Sequence, residues 1–86
     1  AQAFNSRYVE IGRVLDGLPR TVRKFVVVNA EGVLVRNIPM PAQTVMFVTD
    51  TYTDDKQKTK NIYYLTEAQF KKTRFRQSDI IIKLEE

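Results

Sequence analysis

The chain contains no cysteine and no histidine, and these two absences exclude the commonest forms of site chemistry. Without cysteine there is neither a disulfide nor a thiolate nucleophile. Without histidine the chain lacks the usual general base near neutral pH and a main ligand of zinc sites. We therefore expect no catalytic residue, no cofactor, no metal site and no small-molecule substrate, so the composition argues against an enzyme.

Glycine, serine and long apolar runs are also scarce. Three glycines are too few for a phosphate-cradling loop, and Ser6 and Ser78 lie outside any Gly-x-Ser-x-Gly motif. Asp50, Asp54 and Asp55 would suit a hard cation, but we interpret them as solvated turn residues. Apolar runs of about four residues are far below the roughly 20 that span a membrane, so we expect no membrane partner. The lack of cysteine fits a reducing compartment, and we expect a cytoplasmic protein.

The residues that are present describe one small basic domain. Its 86 residues fit a single domain, 1–86, and 43% hydrophobic with 28% charged residues is ordinary for a globular chain. The formal net charge is +4 at pH 7. Such a charge favours an anionic partner, which we expect to be RNA or another polyanion.

Short β-branched or alternating segments, separated by turn residues, predict strands along most of the chain. Asn29–Gly32 has the composition of a tight hairpin loop between two of them. Thr51–Lys60 is predicted to be a solvated loop of a long β-hairpin, because threonine and paired aspartates are poor helix formers. The predicted strands are Arg7–Leu15, Thr21–Val28, Val33–Ile38, Gln43–Thr49, Asn61–Leu65 and Asp79–Leu84.

One short helix is predicted late in the chain. Thr66 and Gln69 have the spacing of a capping box, in which each side chain bonds the backbone of the other residue, so a helix should cover about Glu67–Lys72. Five or six strands with one late helix predict a mainly β fold, a small SH3-like or OB-like barrel, whose closure removes exposed strand edges. A two-layer α+β sheet is the alternative.

Clustered cations supply the functional signal. The segment Phe70–Arg76 carries four cations and two aromatic residues, and cations neutralise phosphates while aromatic rings stack on unpaired bases. Equally, the phenylalanines would serve as core and the cations as a solvated rim. Lys56–Lys60 is more simply a solvated surface, because neighbouring aspartates offset its charge. The candidate nucleic-acid-binding residues are Lys71, Lys72, Arg74, Arg76, Arg20, Arg23, Lys24 and Tyr64.

Three segments carry a family resemblance: "RYVEIGRV" at Arg7–Val14, "KFVVVNAEGVLVRNIP" at Lys24–Pro39 and "FKKTRFRQSDIIIKL" at Phe70–Leu84. In this order they resemble the KOW-type small-barrel proteins of the archaeal-eukaryotic large ribosomal subunit. The resemblance implies a barrel and a structural role in binding ribosomal RNA. It implies phosphate contacts from Arg7, Arg13, Lys24, Arg36 and the run from Lys71 to Arg76.

Two functions follow as expectations. The first is a non-enzymatic small β-barrel that binds RNA through phosphate contacts, with a structural ribosomal component as one form of it. The alternative is a protein-assembly module, such as a virion, tail or multimer component. Such a module would form a homo-oligomer or larger assembly through a β-edge or the 51–60 loop.

Overall fold

The protein is an open three-stranded parallel sheet with helices on both faces. The structure is a computed structural model, and it describes residues 3–28 and 40–84. Over these ranges about half of the chain is helical. In chain order the elements are α1 (Ala3–Gly17), β1 (Lys24–Val28), α2 (Met40–Thr49), α3 (Asp54–Lys60), β2 (Ile62–Thr66), α4 (Glu67–Lys72) and β3 (Ile80–Lys83).

The first strand in sequence, β1, is the central strand of the sheet, whose order is β2-β1-β3. Its first residue, Lys24, pairs in register with Ile62 of β2 on one side and Ile80 of β3 on the other. All five residues of β1 are buried. This confirms the prediction, made from the β-branched run, that both faces of the strand are covered.

One face of the sheet, which we call the two-helix face, carries the main hydrophobic core. It packs against α1 and α2 and uses alternate strand residues, as strand geometry requires. The buried residues of this core are Leu15, Val26, Val28, Ala42, Val45, Ile62 and Leu84.

The opposite face, which we call the aromatic face, is covered by α4 and the chain that follows it. Phe25 of β1 lies at its centre, with ring centroids 5.6 Å from Tyr63 and 5.0 Å from Phe75. Phe70 of α4 continues the cluster, 5.3 Å from Phe75. Such ring pairs contribute about 0.5–1.5 kcal/mol beyond area burial, so a six-residue helix suffices as a cover.

The predicted strand at Arg7–Leu15 is wrong, because these residues belong to α1. Tyr8, Ile11, Leu15 and Leu18 are spaced by three or four residues, which is the period of one helix face, and all of them pack in the two-helix core. Helix α1 ends at Gly17.

The predicted strand at Gln43–Thr49 is also wrong, since it lies within α2. Its buried residues Ala42, Val45, Met46 and Thr49 again have helical spacing, and tertiary packing on this face overrides the β propensity of valine and threonine.

The predicted loop at Thr51–Lys60 is wrong over Asp54–Lys60, which forms α3. Thr53 caps its amino end by accepting a hydrogen bond from the Lys56 amide, and Asn61 ends it in a left-handed conformation with φ of 60°. The aspartates stand in the first turn and lysines in the last, so each charge is favourable to the helix dipole. Capping and charge order stabilise this helix, although it buries no residue.

The late elements agree with the predictions. Helix α4 has the predicted bounds, and both hydrogen bonds of the capping box are present, from the Gln69 amide to Thr66 Oγ1 and from the Thr66 amide to Gln69 Oε1. Strands β2 and β3 lie within one residue of the predicted segments at each end. The predicted hairpin loop Asn29–Gly32 and strand Val33–Ile38 lie outside the described residues.

The predicted barrel, whether SH3-like or OB-like, is contradicted by this topology. The three strands run parallel in an open sheet, and β2 pairs with β1 instead of forming a hairpin with the segment before it. The two-layer α+β alternative does not describe it either, because helices lie on both faces. The barrel implied by the ribosomal-protein resemblance is therefore not the fold of this chain.

Gly12 marks the closest approach of α1 to α2, and it yields a stability prediction. A Cβ atom at Gly12 would lie 2.8 Å from Val48 Cβ and 2.9 Å from Val48 Cγ1. Overpacking of this kind costs about 1–3 kcal/mol, against a helix-propensity gain of about 1 kcal/mol for alanine over glycine. We expect Gly12→Ala to lower the melting temperature, measured by circular dichroism.

Gly17 is the matched control for this substitution. It belongs to the same helix, and a Cβ atom there meets nothing within 4 Å. Gly17→Ala should leave the melting temperature unchanged or slightly raised. If Gly12→Ala is as stable as Gly17→Ala, the close crossing of the two helices is wrong.

Candidate nucleic-acid interface

A partly buried ion pair joins the starts of β1 and β3. Because the strands are parallel, the residues that precede them, Arg23 and Asp79, meet at the same edge of the sheet. Arg23 donates from Nε and Nη2 to the two carboxylate oxygens of Asp79, at 3.0 and 2.6 Å. The Arg76 amide donates to the same carboxylate at 2.7 Å, and the Asp79 side chain is only 1% exposed. The pair therefore fixes the segment from Arg76 to Asp79 against β1.

The electrostatics of this pair are those of a charge-assisted clamp. The hydrogen bonds from Arg23 hold the pKa of Asp79 below its ordinary value, with a further contribution from the Arg76 amide, and burial opposes them. The same hydrogen bonds raise the pKa of Arg23, and Tyr63 adds a smaller electrostatic contribution. The guanidinium carbon also lies 5.1 Å from the centroid of the Phe25 ring. Arg23 is therefore engaged by the protein itself.

Lys24, another predicted phosphate contact, is buried at the first position of β1, with 1% of its surface exposed. Its Nζ donates to the Pro19 carbonyl oxygen at 2.8 Å. Burial lowers the pKa of this amine, the positive charge of Arg20 lowers it further, and Asp16 acts in the opposite direction. The structure thus places Lys24 in the interior, where it does not face a phosphate backbone.

The remaining predicted cations are exposed. Lys71 and Lys72 stand in the last turn of α4, and Arg74 and Arg76 follow on the chain that returns to β3. Arg20 precedes β1 and lies near enough to Lys24 to shift its pKa. Within the described ranges, none of these five charged groups takes part in a side-chain ion pair or hydrogen bond. With Arg23 they form the surface that we call the basic flank: Arg20, Arg23, Lys71, Lys72, Arg74 and Arg76.

Tyr64 lies apart from the basic flank, because its side chain belongs to the two-helix face. Its hydroxyl is 2.6 Å from Thr51 Oγ1 and 3.4 Å from Thr49 Oγ1, and both threonines are fully buried. Burial raises the pKa of Tyr64, while the hydrogen bonds to the threonines lower it. The hydroxyl thus serves an internal network that joins β2 to the end of α2.

The other charged residues singled out from the sequence also lie elsewhere. Arg7 and Arg13 are exposed on α1, which packs on the two-helix face, and Arg36 lies outside the described residues. Lys56 and Lys60 form ion pairs with Asp50 and Asp16, at 3.0 and 2.6 Å. Across the described ranges, no group of three or more carboxylates lies close enough together to hold a metal ion.

Two features of the edge escaped the sequence analysis. Asp79 received no role, yet it organises the ion pair, and Tyr63 was not included among the candidate residues although its neighbour Tyr64 was. A charged residue directly before each of two strands is a signal for such a pair, but only once the strands are known to be parallel neighbours. Predicted as parts of a barrel, the two segments had no reason to meet at their starts.

Comparisons with known proteins give no match, since no protein-family model, curated protein or solved structure matches this chain. None of the helices in the described part of the chain has the length and apolarity that crossing a bilayer requires.

The ion pair between Arg23 and Asp79 should make the thermal stability of the protein depend on pH in the acid range. We expect Asp79→Asn to lower the melting temperature at pH 7, because Arg23 loses its counter-ion. The pKa of Asp79 is lowered in the folded state, so its stabilisation is fully present above the ordinary value of 3.8 and disappears as the pH falls through the folded value. The difference between wild type and variant should therefore shrink below pH 3.8 in thermal denaturation at several pH values.

Asp50→Asn is the matched control, since Asp50 makes an exposed ion pair with Lys56. Exposed pairs contribute little to stability, and asparagine tolerates the left-handed conformation of this residue, whose φ is 57°. Equal effects of the two substitutions, or a difference for Asp79→Asn that does not depend on pH, would contradict the clamp.

Proposed function

We propose that this chain binds RNA through contacts of the basic flank with phosphates, and that it does so without catalysing a reaction. The observation that carries this proposal is a set of five exposed cations, before β1, in the last turn of α4 and on the chain that crosses the aromatic face after it, none of which has a side-chain partner in the described ranges, while Asp79 is already paired with Arg23. Positive side chains on one flank neutralise phosphates and release condensed counterions. The proposal places the protein inside the cell, where RNA is found.

The basic flank is supported by rigid elements. Its arginines at 74 and 76 are held by Phe75, which packs on Phe25, and by the amide of Arg76, which is bonded to Asp79. Its lysines stand in the last turn of a capped helix. A ligand would thus meet a preformed charge pattern and would not have to order these backbone segments on binding. Contacts of this kind position a ligand but carry little sequence information.

A ribosomal role is not carried forward. It depended on the resemblance to KOW-type barrels, and the parallel sheet contradicts the barrel that this resemblance implied. What remains is the chemistry of the charges, which needs only a polyanion.

Assembly through a sheet edge is the second candidate, and one observation favours it. β3 is an edge strand, Ile80 and Ile81 are 36% and 39% exposed, and Lys83 is its one charged residue. Edges of this kind pair with strands of other chains. The 51–60 stretch does not suit strand addition, because most of it is α3.

A salt titration tests the RNA proposal. We expect the logarithm of the association constant for a labelled 12-nucleotide oligouridylate, measured by fluorescence anisotropy, to fall linearly with the logarithm of salt concentration. The slope should be about −0.7 per neutralised phosphate. We expect Arg74→Gln with Arg76→Gln to make that slope shallower by about 1.4. Arg7→Gln with Arg13→Gln, which removes the same charges from α1 on the opposite face, should leave the slope unchanged.

The outcomes separate the two candidates. A slope near zero for the wild type, or equal effects of the two double variants, would defeat the phosphate mechanism on this flank. Light scattering of the same samples reports the alternative: a stable multimer that ignores the oligonucleotide would favour assembly through β3.

A further inference from the structure

The aromatic face forms a row of apolar side chains beside the basic flank. Tyr63, Phe25 and Ile81 are cross-strand neighbours in register on β2, β1 and β3. Phe25 is buried in the centre, and Phe75 stands edge-on against it. Ile81 is 39% exposed and Tyr63 is half-buried, so the row is only partly covered.

Tyr63 is the ring best placed to meet a ligand. It lies on the edge strand β2, and within the described ranges its one aromatic ring contact is with Phe25. Its hydroxyl has no hydrogen-bond partner among the described residues, unlike that of Tyr64 on the opposite face, which is bonded to two threonines. Amphipathic rings of this kind commonly have one wet end and use the ring surface in recognition.

Charge surrounds this row on the side of the basic flank. Arg23 lies over the Phe25 ring, with its guanidinium carbon 5.1 Å from the ring centroid. Arg74 and Arg76 flank Phe75 directly in the sequence. Lys83 Nζ lies 4.5 Å from the centroid of the Phe70 ring at the other end of the cluster. Cations around partly exposed aromatic rings are the pattern of surfaces that bind single-stranded nucleic acid.

We infer that the preferred ligand of the basic flank is single-stranded RNA, with an unpaired base stacking on Tyr63 while Arg74 and Arg76 contact the adjoining phosphates. This assignment rests on the RNA binding proposed above and narrows it to one class. A duplex keeps its bases stacked on one another and offers only phosphates to the flank, so it gains nothing from the ring. Stacking is tolerant of sequence, since every base has a flat face.

A second copy of this chain is the other occupant that the exposed isoleucines would suit. β3 has four residues, and two such strands bury far less than the roughly 1,000 Å² that stable interfaces need. Two copies, each with a net charge of +4, would also repel one another. Charge complementarity therefore favours a polyanion on this surface.

Three probes of equal length test the inference in one buffer: a 12-nucleotide oligouridylate, the same ribose-phosphate chain without bases, and a 12-base-pair RNA duplex. Affinities from anisotropy competition should be about tenfold higher for the oligouridylate than for the baseless chain, which carries the same charge. The duplex has the higher charge density, so the preference for the oligouridylate over the duplex should be clearest at high salt, where the electrostatic contribution is smallest. Wild-type protein suffices for this comparison, so it does not depend on a variant that folds.

Two substitutions then locate the stacking ring. Tyr63→Phe keeps the ring and should keep the tenfold difference, whereas Tyr63→Val keeps a strand-forming residue and should abolish it. Retention of the difference in a folded Tyr63→Val variant would overturn the role of Tyr63.

The outcomes distinguish this inference from the function on which it rests. Equal, salt-dependent affinities for the oligouridylate and the baseless chain would overturn base stacking but leave phosphate binding in place. If no probe binds, both base stacking and phosphate binding are overturned. If the protein is also a stable multimer, the result would favour self-association through β3.

Discussion

The structure depends on one constraint, which is that a strand apolar on both faces must be covered on both faces. The residues of β1 are all buried, and their side chains alternate between two different environments. On one side lie α1 and α2, and on the other lie α4 and its aromatic neighbours. A parallel arrangement supplies this cover, because each crossover returns the chain over a face of the sheet. With β1 in the middle, β2 and β3 become edges.

The arrangement also decides where charge collects. Parallel strands begin at a common edge, so residues that precede β1 and β3 become neighbours there although 56 positions separate Arg23 from Asp79. Arg23 forms the ion pair that joins the starts of β1 and β3, and Lys24 is buried in the interior. The other cations remain at the surface. Some residues of this basic group therefore stabilise the fold, and the others are left for the proposed binding of RNA.

Features set by local chemistry were the ones that the sequence predicted well. The helix at Glu67–Lys72 follows from a capping box, whose two bonds form within four residues. The β-branched runs behind β1 and β3 favour strands in almost any surroundings. The helices α1 and α2 were missed because valine and threonine favoured strands, while helical spacing from Tyr8 to Leu18 placed the same side chains in the core.

Pairing between distant segments was beyond the sequence, and it governs the candidate site. Adjacent cations could be recognised as a cluster. However, which of them would be buried or paired depends on the neighbours that the sheet brings together. Lys24 was predicted as a surface contact and lies inside, and Tyr64 was predicted at the interface and is bonded within the two-helix face. Without knowledge of the parallel register, no property of these two residues distinguishes them from the exposed ones.

The position of the first strand at the centre of the sheet has a consequence for synthesis. β1 leaves the ribosome 38 residues before the start of β2, from Lys24 to Ile62, and 56 residues before the start of β3 at Ile80. Until then β1 has neither of its neighbouring strands, and its apolar residues Phe25–Val28 are exposed to solvent. Contacts between residues so far apart in the sequence slow folding and prolong the lifetime of aggregation-prone intermediates. A nascent chain of this protein should therefore engage chaperones until its last strand emerges.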